Sequence, residues 1–247
     1  PISLGLKFLS VADQTYHWGI LDREVYLAIW IVVFTLLGLY LLGKIRFESD
    51  EPVAHLTVPR LTLSIAVFAF VVYLIPGMWG APLSKLSGYL PPLTTQDFVL
   101  GQNSVNVQTN ESTATAGSFG EKYDLHLPLG LEGYFTLEEG LSAAKETGKP
   151  VFVDVTGHGC VNCREMESRV WSDPRVLDML KNDFIIVALY TDDKTRLAEE
   201  DQVVDAHTGK VYKDLGRANS YIARTNWNVN AQPNYILLNS RHGEDEN

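Results

Sequence analysis

Cysteine is scarce in this chain, with two in 247 residues. That number excludes a small secreted scaffold held together by many disulfides. Basic residues are also few, because 20 Lys and Arg stand against 30 Asp and Glu. A nucleic-acid-binding surface needs clustered positive charge to release phosphate counterions, so this balance argues against nucleic acid as a partner. At 46% hydrophobic residues the chain is too apolar to be disordered.

The start of the chain lacks the basic segment and the cleavage site of a signal peptide, and it opens with Pro1 rather than Met. We therefore expect a fragment of a longer protein. Charge is divided unevenly along the chain. Residues 1–100 contain six Lys or Arg and seven Asp or Glu, whereas the remaining residues contain fourteen and twenty-three. This division predicts two environments, a membrane for the first part and water for the second.

Two uncharged runs of 19 residues, Val25–Gly43 and Leu61–Trp79, predict membrane-spanning helices. A helix of that length measures about 28 Å, close to the hydrocarbon thickness of about 30 Å. A pair of buried core helices is the alternative, but core helices usually keep a polar edge. Pro76 should kink or end the second helix. Basic residues in the connector between the two helices, residues 44–60, weakly favour a cytoplasmic location for this connector. The segments before the first helix and after the second helix would then face the periplasm.

These patterns divide the chain into four predicted segments. They are a periplasmic or interfacial segment 1–24, a transmembrane hairpin 25–80, a periplasmic linker 81–130 and a compact domain 131–247. The linker contains the polar run 102–120, which is typical of a flexible tether.

The compact domain alternates helix and strand patterns. Thr136 and Glu139 form a capping box that predicts a helix over Leu137–Thr147. The apolar runs Val151–Val155 and Phe184–Tyr190 are typical of buried strands in a parallel sheet. Further helices are predicted over 160–171, 174–182 and 218–225, with a hairpin turn at 207–209 and a third strand over 235–238. This order predicts an α/β fold.

The two cysteines, Cys160 and Cys163, follow an apolar strand and open a predicted helix. The unpaired N–H groups and partial positive charge at a helix N-terminus favour a thiolate at the first sulfur. The second sulfur lies one turn further along, within reach to close a disulfide. The spacing and its context therefore predict a redox-active pair.

The cysteine pair has three other interpretations. A structural zinc half-site would need two further ligands from His126, His158 and His207, which have no paired spacing. A c-type haem attachment is excluded, because Arg164 and not His follows the second cysteine. A static structural disulfide stays open, although a two-residue loop constrains the unfolded chain poorly.

Two carboxylates lie near the cysteines in sequence. Asp154 stands in the middle of the apolar strand, six residues before Cys160, so we expect burial to raise its pKa and let it exchange the proton of Cys163. Glu167 lies four residues after Cys163 on the same helical face. The alternatives are a solvated Asp at a strand edge and a solvated helical Glu.

The segment VFVDVTGHGCVNCREMESRVWSDPRVLDML, together with the two apolar runs before it, resembles the thioredoxin superfamily and, more narrowly, the DsbD family of membrane thiol:disulfide interchange proteins. The resemblance implies a thioredoxin-like α/β domain preceded by the last two helices of a membrane domain. It also implies roles for individual residues. Cys160 attacks, Cys163 resolves, Asp154 and Glu167 tune the thiols, Pro233 is a cis proline beside the disulfide, and Gln232 before it pairs with an extended substrate.

The implied function is a relay in the bacterial inner membrane, with the thioredoxin-like domain in the periplasm. Reducing equivalents pass from cytoplasmic thioredoxin through a cysteine pair of the membrane domain to this domain, and then to periplasmic thiol/disulfide proteins, including cytochrome c maturation. The resemblance implies no cofactor and no metal. A non-catalytic thioredoxin-like binding or chaperone module on a membrane anchor is the alternative function.

The chain departs from the family pattern in three places. Gly159 stands where an aromatic residue often precedes the first cysteine. The cysteine pair of the membrane domain is absent from this sequence. Only Asn239–Asn247 follow the third strand, so we expect the domain to be cut before its last strand and helix.

Overall fold

The structure is a computed structural model that describes residues 2–48, 50, 55–96 and 118–239. Most of the predicted tether, residues 102–117, lies outside the described residues, as do residues 240–247. The predictions made for those stretches therefore stay predictions.

The first half contains three helices, α1 (Ile2–Tyr16), α2 (Arg23–Leu41) and α3 (Val58–Leu74). A 3₁₀ turn over Ile75–Trp79 follows α3 and carries Pro76 near its start. Because proline has no N–H to donate to the preceding turn, the α-helix ends there, and the predicted break is confirmed.

Helices α2 and α3 pack against each other as a hairpin. A Cβ at Gly38 would lie 2.7 Å from Cζ of Phe68, so a larger residue there would force the Phe68 ring to move. Both helices, the second counted through Trp79, are long and apolar enough to cross a membrane. Only 22% of each apolar stretch is buried among the described residues, whereas the core helix of a soluble protein is mostly buried. Length, composition and exposure thus agree with the predicted transmembrane hairpin.

The second half is an α/β domain. Its helices are α4 (Ser118–Lys122), α5 (Leu137–Thr147), α6 (Val161–Met166), α7 (Pro174–Asn182) and α8 (Leu215–Trp227). Its strands are β1 (Val151–Thr156), β2 (Ile185–Tyr190), β3 (Val203–Val204), β4 (Val211–Tyr212) and β5 (Asn234–Leu238). The main sheet has the order β2-β1-β5, in which β1 is parallel to β2 and antiparallel to β5. Strands β3 and β4 form a separate antiparallel hairpin around the predicted turn.

Both faces of the sheet are buried. Along β2, Ile186 and Ala188 belong to one apolar cluster, and Val187 and Leu189 belong to another. Burial on both faces explains why this strand is a continuous apolar run. Leu125 and Leu127, which fall in the predicted linker, are also buried in the first cluster.

Most predicted elements of the domain are confirmed, and the exceptions have local causes. The Thr136 hydroxyl accepts the N–H of Glu139 at 3.3 Å and starts α5 as expected. Helix α8 is longer than the predicted 218–225, because the Asp214 carboxylate accepts the N–H of Arg217 and starts the helix at Leu215. The predicted helix 160–171 consists of α6 and a π-helical turn over Glu167–Trp171.

Candidate active site

The cysteine pair lies at the start of α6. Cys160 and Cys163 form a disulfide, with their Cα atoms 5.3 Å apart. Cys160 is the N-cap of the helix, and its sulfur accepts the backbone N–H of Cys163 at 3.1 Å. Cys160 is 8% exposed and Cys163 is 2% exposed. In this disulfide form Cys160 is thus the more exposed of the two residues and its sulfur accepts a backbone N–H, and both features favour Cys160 as the attacking thiolate.

The loop before the cysteines is held by Asp192, just beyond the end of β2. Its two carboxylate oxygens accept the backbone N–H groups of His158 and Gly159, each at 2.8 Å. Because a carboxylate is charged, these hydrogen bonds are stronger than bonds between neutral groups. Sequence reasoning missed Asp192, although a polar residue that follows an apolar parallel strand at its carboxyl end is a recognisable signal.

Gly159, one of the departures from the family pattern, lies against α1. A Cβ added there would lie 2.9 Å from Cγ1 of Val11. The space that a side chain before the first cysteine would occupy is thus taken by the N-terminal helix. The N-terminal segment 1–24, predicted to be periplasmic or interfacial, therefore reaches the loop before the cysteines.

Asp154 lies in β1 and is 3% exposed, so the expected burial is confirmed. Removal from water disfavours the charged carboxylate, and the nearby Glu167 adds like-charge repulsion. Together they raise the pKa of Asp154 to about 8, against the opposing effect of Arg164. Its Oδ1 has no hydrogen-bond partner among the described residues. A buried carboxyl with a strongly raised pKa is more common at functional sites than elsewhere in a protein.

Glu167 is buried as well, at 7% exposed, so it is not a solvated helical residue. Burial raises its pKa to about 7, although Arg164 acts in the opposite direction. The Arg164 guanidinium, 6% exposed, lies 2.7 Å from Oε1 of Glu167. Arg164 thus supplies positive charge to two buried carboxyl groups. Sequence reasoning used it only to exclude haem attachment.

The peptide bond between Gln232 and Pro233 is cis, as the resemblance implied. The Thr191 hydroxyl donates a hydrogen bond to Oε1 of Gln232 at 2.5 Å. A Cβ at Gly157 would lie 2.6 Å from Nε2 of Gln232. The loop that contains Gln232 and Pro233 therefore adjoins the loop that leads to the cysteines. The structure therefore brings Gln232 and Pro233 to the edge of the site that carries the disulfide.

One comparison with known proteins, the match to a family model, bears on the fold of this domain. Residues 133–212 match a family model described as thioredoxin-like. Among solved structures, a DsbH oxidoreductase is similar at 16% sequence identity, covering 55% of this chain and 75% of that chain with a TM-score of 0.34. No curated protein matches the sequence. None of these comparisons identifies the DsbD family, so that resemblance stays a prediction.

The family match and the mixed sheet agree with each other. Residues 133–212 contain the strand that leads to the cysteines, the helix that they open and the neighbouring parallel strand. The second half of the chain is therefore an α/β domain with the thioredoxin-like fold, and it carries a cysteine pair at the helix start where a thiol–disulfide oxidoreductase needs one.

Proposed function

We propose that this chain is part of a membrane-anchored thiol–disulfide oxidoreductase of the DsbD type, which relays reducing equivalents to periplasmic proteins, including those of cytochrome c maturation. The observation that carries the proposal is the disulfide at the start of α6, with the buried carboxyl of Asp154 in the adjacent strand. A purely structural disulfide has no need of a buried group that binds a proton near neutral pH.

The reaction is two successive disulfide exchanges. In the reduced domain, the Cys160 thiolate attacks a partner disulfide, which gives a mixed disulfide and releases one partner thiolate. The Cys163 thiol then loses its proton, and its sulfur attacks Cys160. This step reforms the Cys160–Cys163 disulfide and releases the second partner thiolate. Two electrons pass to the partner, and a membrane-domain dithiol outside this chain would restore them.

The proton of Cys163 needs an acceptor inside a buried site. A free thiol has a pKa of about 8.5. Burial and the nearby Glu167 carboxyl raise the pKa of Asp154 to about 8. A carboxyl whose pKa lies near the working pH can both accept and release a proton there, which is what a proton acceptor for the thiol requires. We assign Asp154 this role, and we assign Glu167 and Arg164 to setting the charge around it.

The anchor and the compartment rest on the apolar hairpin. Two helices that suit a bilayer precede the domain, and the basic residues of their connector favour the cytoplasm. The hairpin would then lie in a bacterial inner membrane, with the thioredoxin-like domain in the periplasm. The thiol/disulfide proteins that it is proposed to reduce are in the same compartment. The backbone of Gln232, next to Pro233, is the proposed point at which an extended partner segment pairs.

Trapping of the mixed disulfide tests the proposal. Cys163→Ser removes the resolving thiol, so we expect partner-linked species to accumulate on a non-reducing gel. Cys160→Ser is the matched control and should trap none, since the attacking thiolate is gone. Equal trapping by both variants would overturn the assigned roles. Trapping by neither would favour the non-catalytic binding module with a structural disulfide.

A further inference from the structure

A second cluster of polar side chains lies beside the cysteine pair, where α1 ends. Nε2 of His17 and Nε2 of His158 lie 3.0 and 2.9 Å from the same atom, Oδ2 of Asp193. One ligand atom from each residue lies within 4.8 Å of the other two. We propose that His17, His158 and Asp193 bind a divalent transition-metal ion, with Zn²⁺ as the representative ion, and that the ion ties α1 to the active-site loop.

The ligand set and its spacing suit such an ion. Two imidazoles and one carboxylate form a set that zinc accepts while keeping a fourth position open. Ligands bound about 2.0–2.1 Å from a tetrahedral ion lie about 3.3 Å from one another. The two separations from Asp193, 3.0 and 2.9 Å, differ from that value by a few tenths of an ångström. Small outward movements of the imidazoles would admit the ion.

The surrounding structure holds two of the three ligands in place. The Asp193 side chain is 0% exposed, and its Oδ1 accepts the N–H of Thr195 at 2.8 Å, which leaves Oδ2 directed at the histidines. The ring of His158 stacks on Tyr190 with centroids 4.4 Å apart. Supporting contacts of this kind orient metal ligands and raise their affinity. The third ligand, His17, has a side chain that is 38% exposed, so it is the one free to adjust.

An access route leads to the cluster. A cavity of about 260 Å³ is lined by His17 and His158, by the exposed His126, and by three aspartates, Asp13, Asp22 and Asp124. Carboxylates along a cavity wall raise the local concentration of cations. Arg164 also lines this cavity, but its charge is paired with Glu167.

The cluster lies between the end of α1 and the loop that leads to the cysteines. His158 stands two residues before Cys160, and His17 follows the end of α1. His17 and His158 are 141 positions apart in the sequence, so a bound ion would join the end of α1 to the loop before the cysteines. This inference stands on the cluster alone and does not depend on the proposed relay.

The test is a Zn²⁺ titration of the whole chain in detergent against a chelating dye. The disulfide is kept oxidised, so that thiolates cannot serve as ligands. We expect one ion per chain in the wild type, with affinity lowered about tenfold or more in His17→Gln and in His158→Gln. His207→Gln is the matched control, because His207 is exposed in the β3–β4 hairpin and lines neither the cluster nor its cavity. Its affinity should equal that of the wild type.

The proposal would be overturned if the wild type bound no Zn²⁺ or if all four proteins bound it with equal affinity. The three side chains would then form a hydrogen-bonded network without a metal ion. Co²⁺ absorption of the wild-type chain provides a measurement that needs no variant. Intense visible bands of a four-coordinate ion support the site, and the weak bands of a six-coordinate aqueous ion contradict it. This second measurement decides the matter if His158→Gln fails to fold.

Discussion

At the scale of single residues, Asp154 carries the most testable property. Its pKa is raised to about 8 by burial and by Glu167, from 3.8 in the unfolded chain. Between these two values the folded state keeps a proton that the unfolded state has released. The contribution of Asp154 to the free energy of unfolding should therefore be highest below about pH 4. It should fall as the pH rises toward about 8.

Asp154→Asn removes this titration. We expect the melting temperature of the oxidised wild-type chain in detergent to fall between pH 5 and pH 8, and that of the variant to fall less, because Asn carries no charge to desolvate. Thermal unfolding at a series of pH values measures both slopes. Parallel slopes would mean that the Asp154 carboxyl is hydrated. Glu167→Gln should act in the same direction, since burial raises the pKa of Glu167 to about 7.

At the scale of elements, Asp192 links the end of β2 to the cysteine loop through two backbone N–H groups. Asp192→Asn keeps the size of the side chain, but its amide offers only one acceptor oxygen, so one N–H loses its partner. Such a loss costs about 1–3 kcal/mol. We expect a looser loop and faster reduction of the disulfide by dithiothreitol.

Asp205→Asn is the matched control for this substitution. The Asp205 carboxylate also accepts two backbone N–H groups, from His207 at 2.9 Å and Thr208 at 3.2 Å, but in the exposed β3–β4 hairpin. Reduction of the disulfide should be unchanged in that variant. The same rate in both variants would show that Asp192 does not hold the loop.

At the scale of the whole molecule, the chain should be integral to a membrane, with the α2–α3 connector on the side opposite Cys160. We expect the protein to stay in the membrane fraction after carbonate extraction, because two apolar helices are exposed. Release into the soluble fraction would contradict the anchor.

The orientation is tested with single cysteines placed in a Cys160→Ser and Cys163→Ser background. Glu48→Cys and Glu146→Cys both change exposed residues, one in the connector and one in the thioredoxin-like domain. An impermeant maleimide added to cells with a permeabilised outer membrane should label Glu146→Cys only. Labelling of Glu48→Cys without opening the inner membrane would reverse the predicted topology.

The segment after the hairpin makes contacts that the sequence did not predict. Residues 81–130 were predicted to be a linker, and their role as a domain boundary stays a prediction. Nevertheless the Arg23 guanidinium at the start of α2 donates to the carbonyl oxygens of Pro82 and Pro91. Contacts between residues this far apart have no periodic pattern, so the sequence held no sign of them.

The sequence by itself determined the features that depend on near neighbours. The cap at Thr136, the start of α7 at Pro174, the buried strand β2 and the cysteine pair at a helix start all follow from residues within a few positions of one another. Capping and hydrophobic periodicity act over that range, so these features were predictable.

Only the tertiary structure decided how those elements meet. It brought Val11 against Gly159, paired Arg164 with Glu167 and placed Asp192 under the cysteine loop. The cluster of His17, His158 and Asp193 likewise joins α1 to the domain across more than 100 residues. Burial and charge at such places depend on which elements pack together, and a local sequence pattern carries no information about that packing.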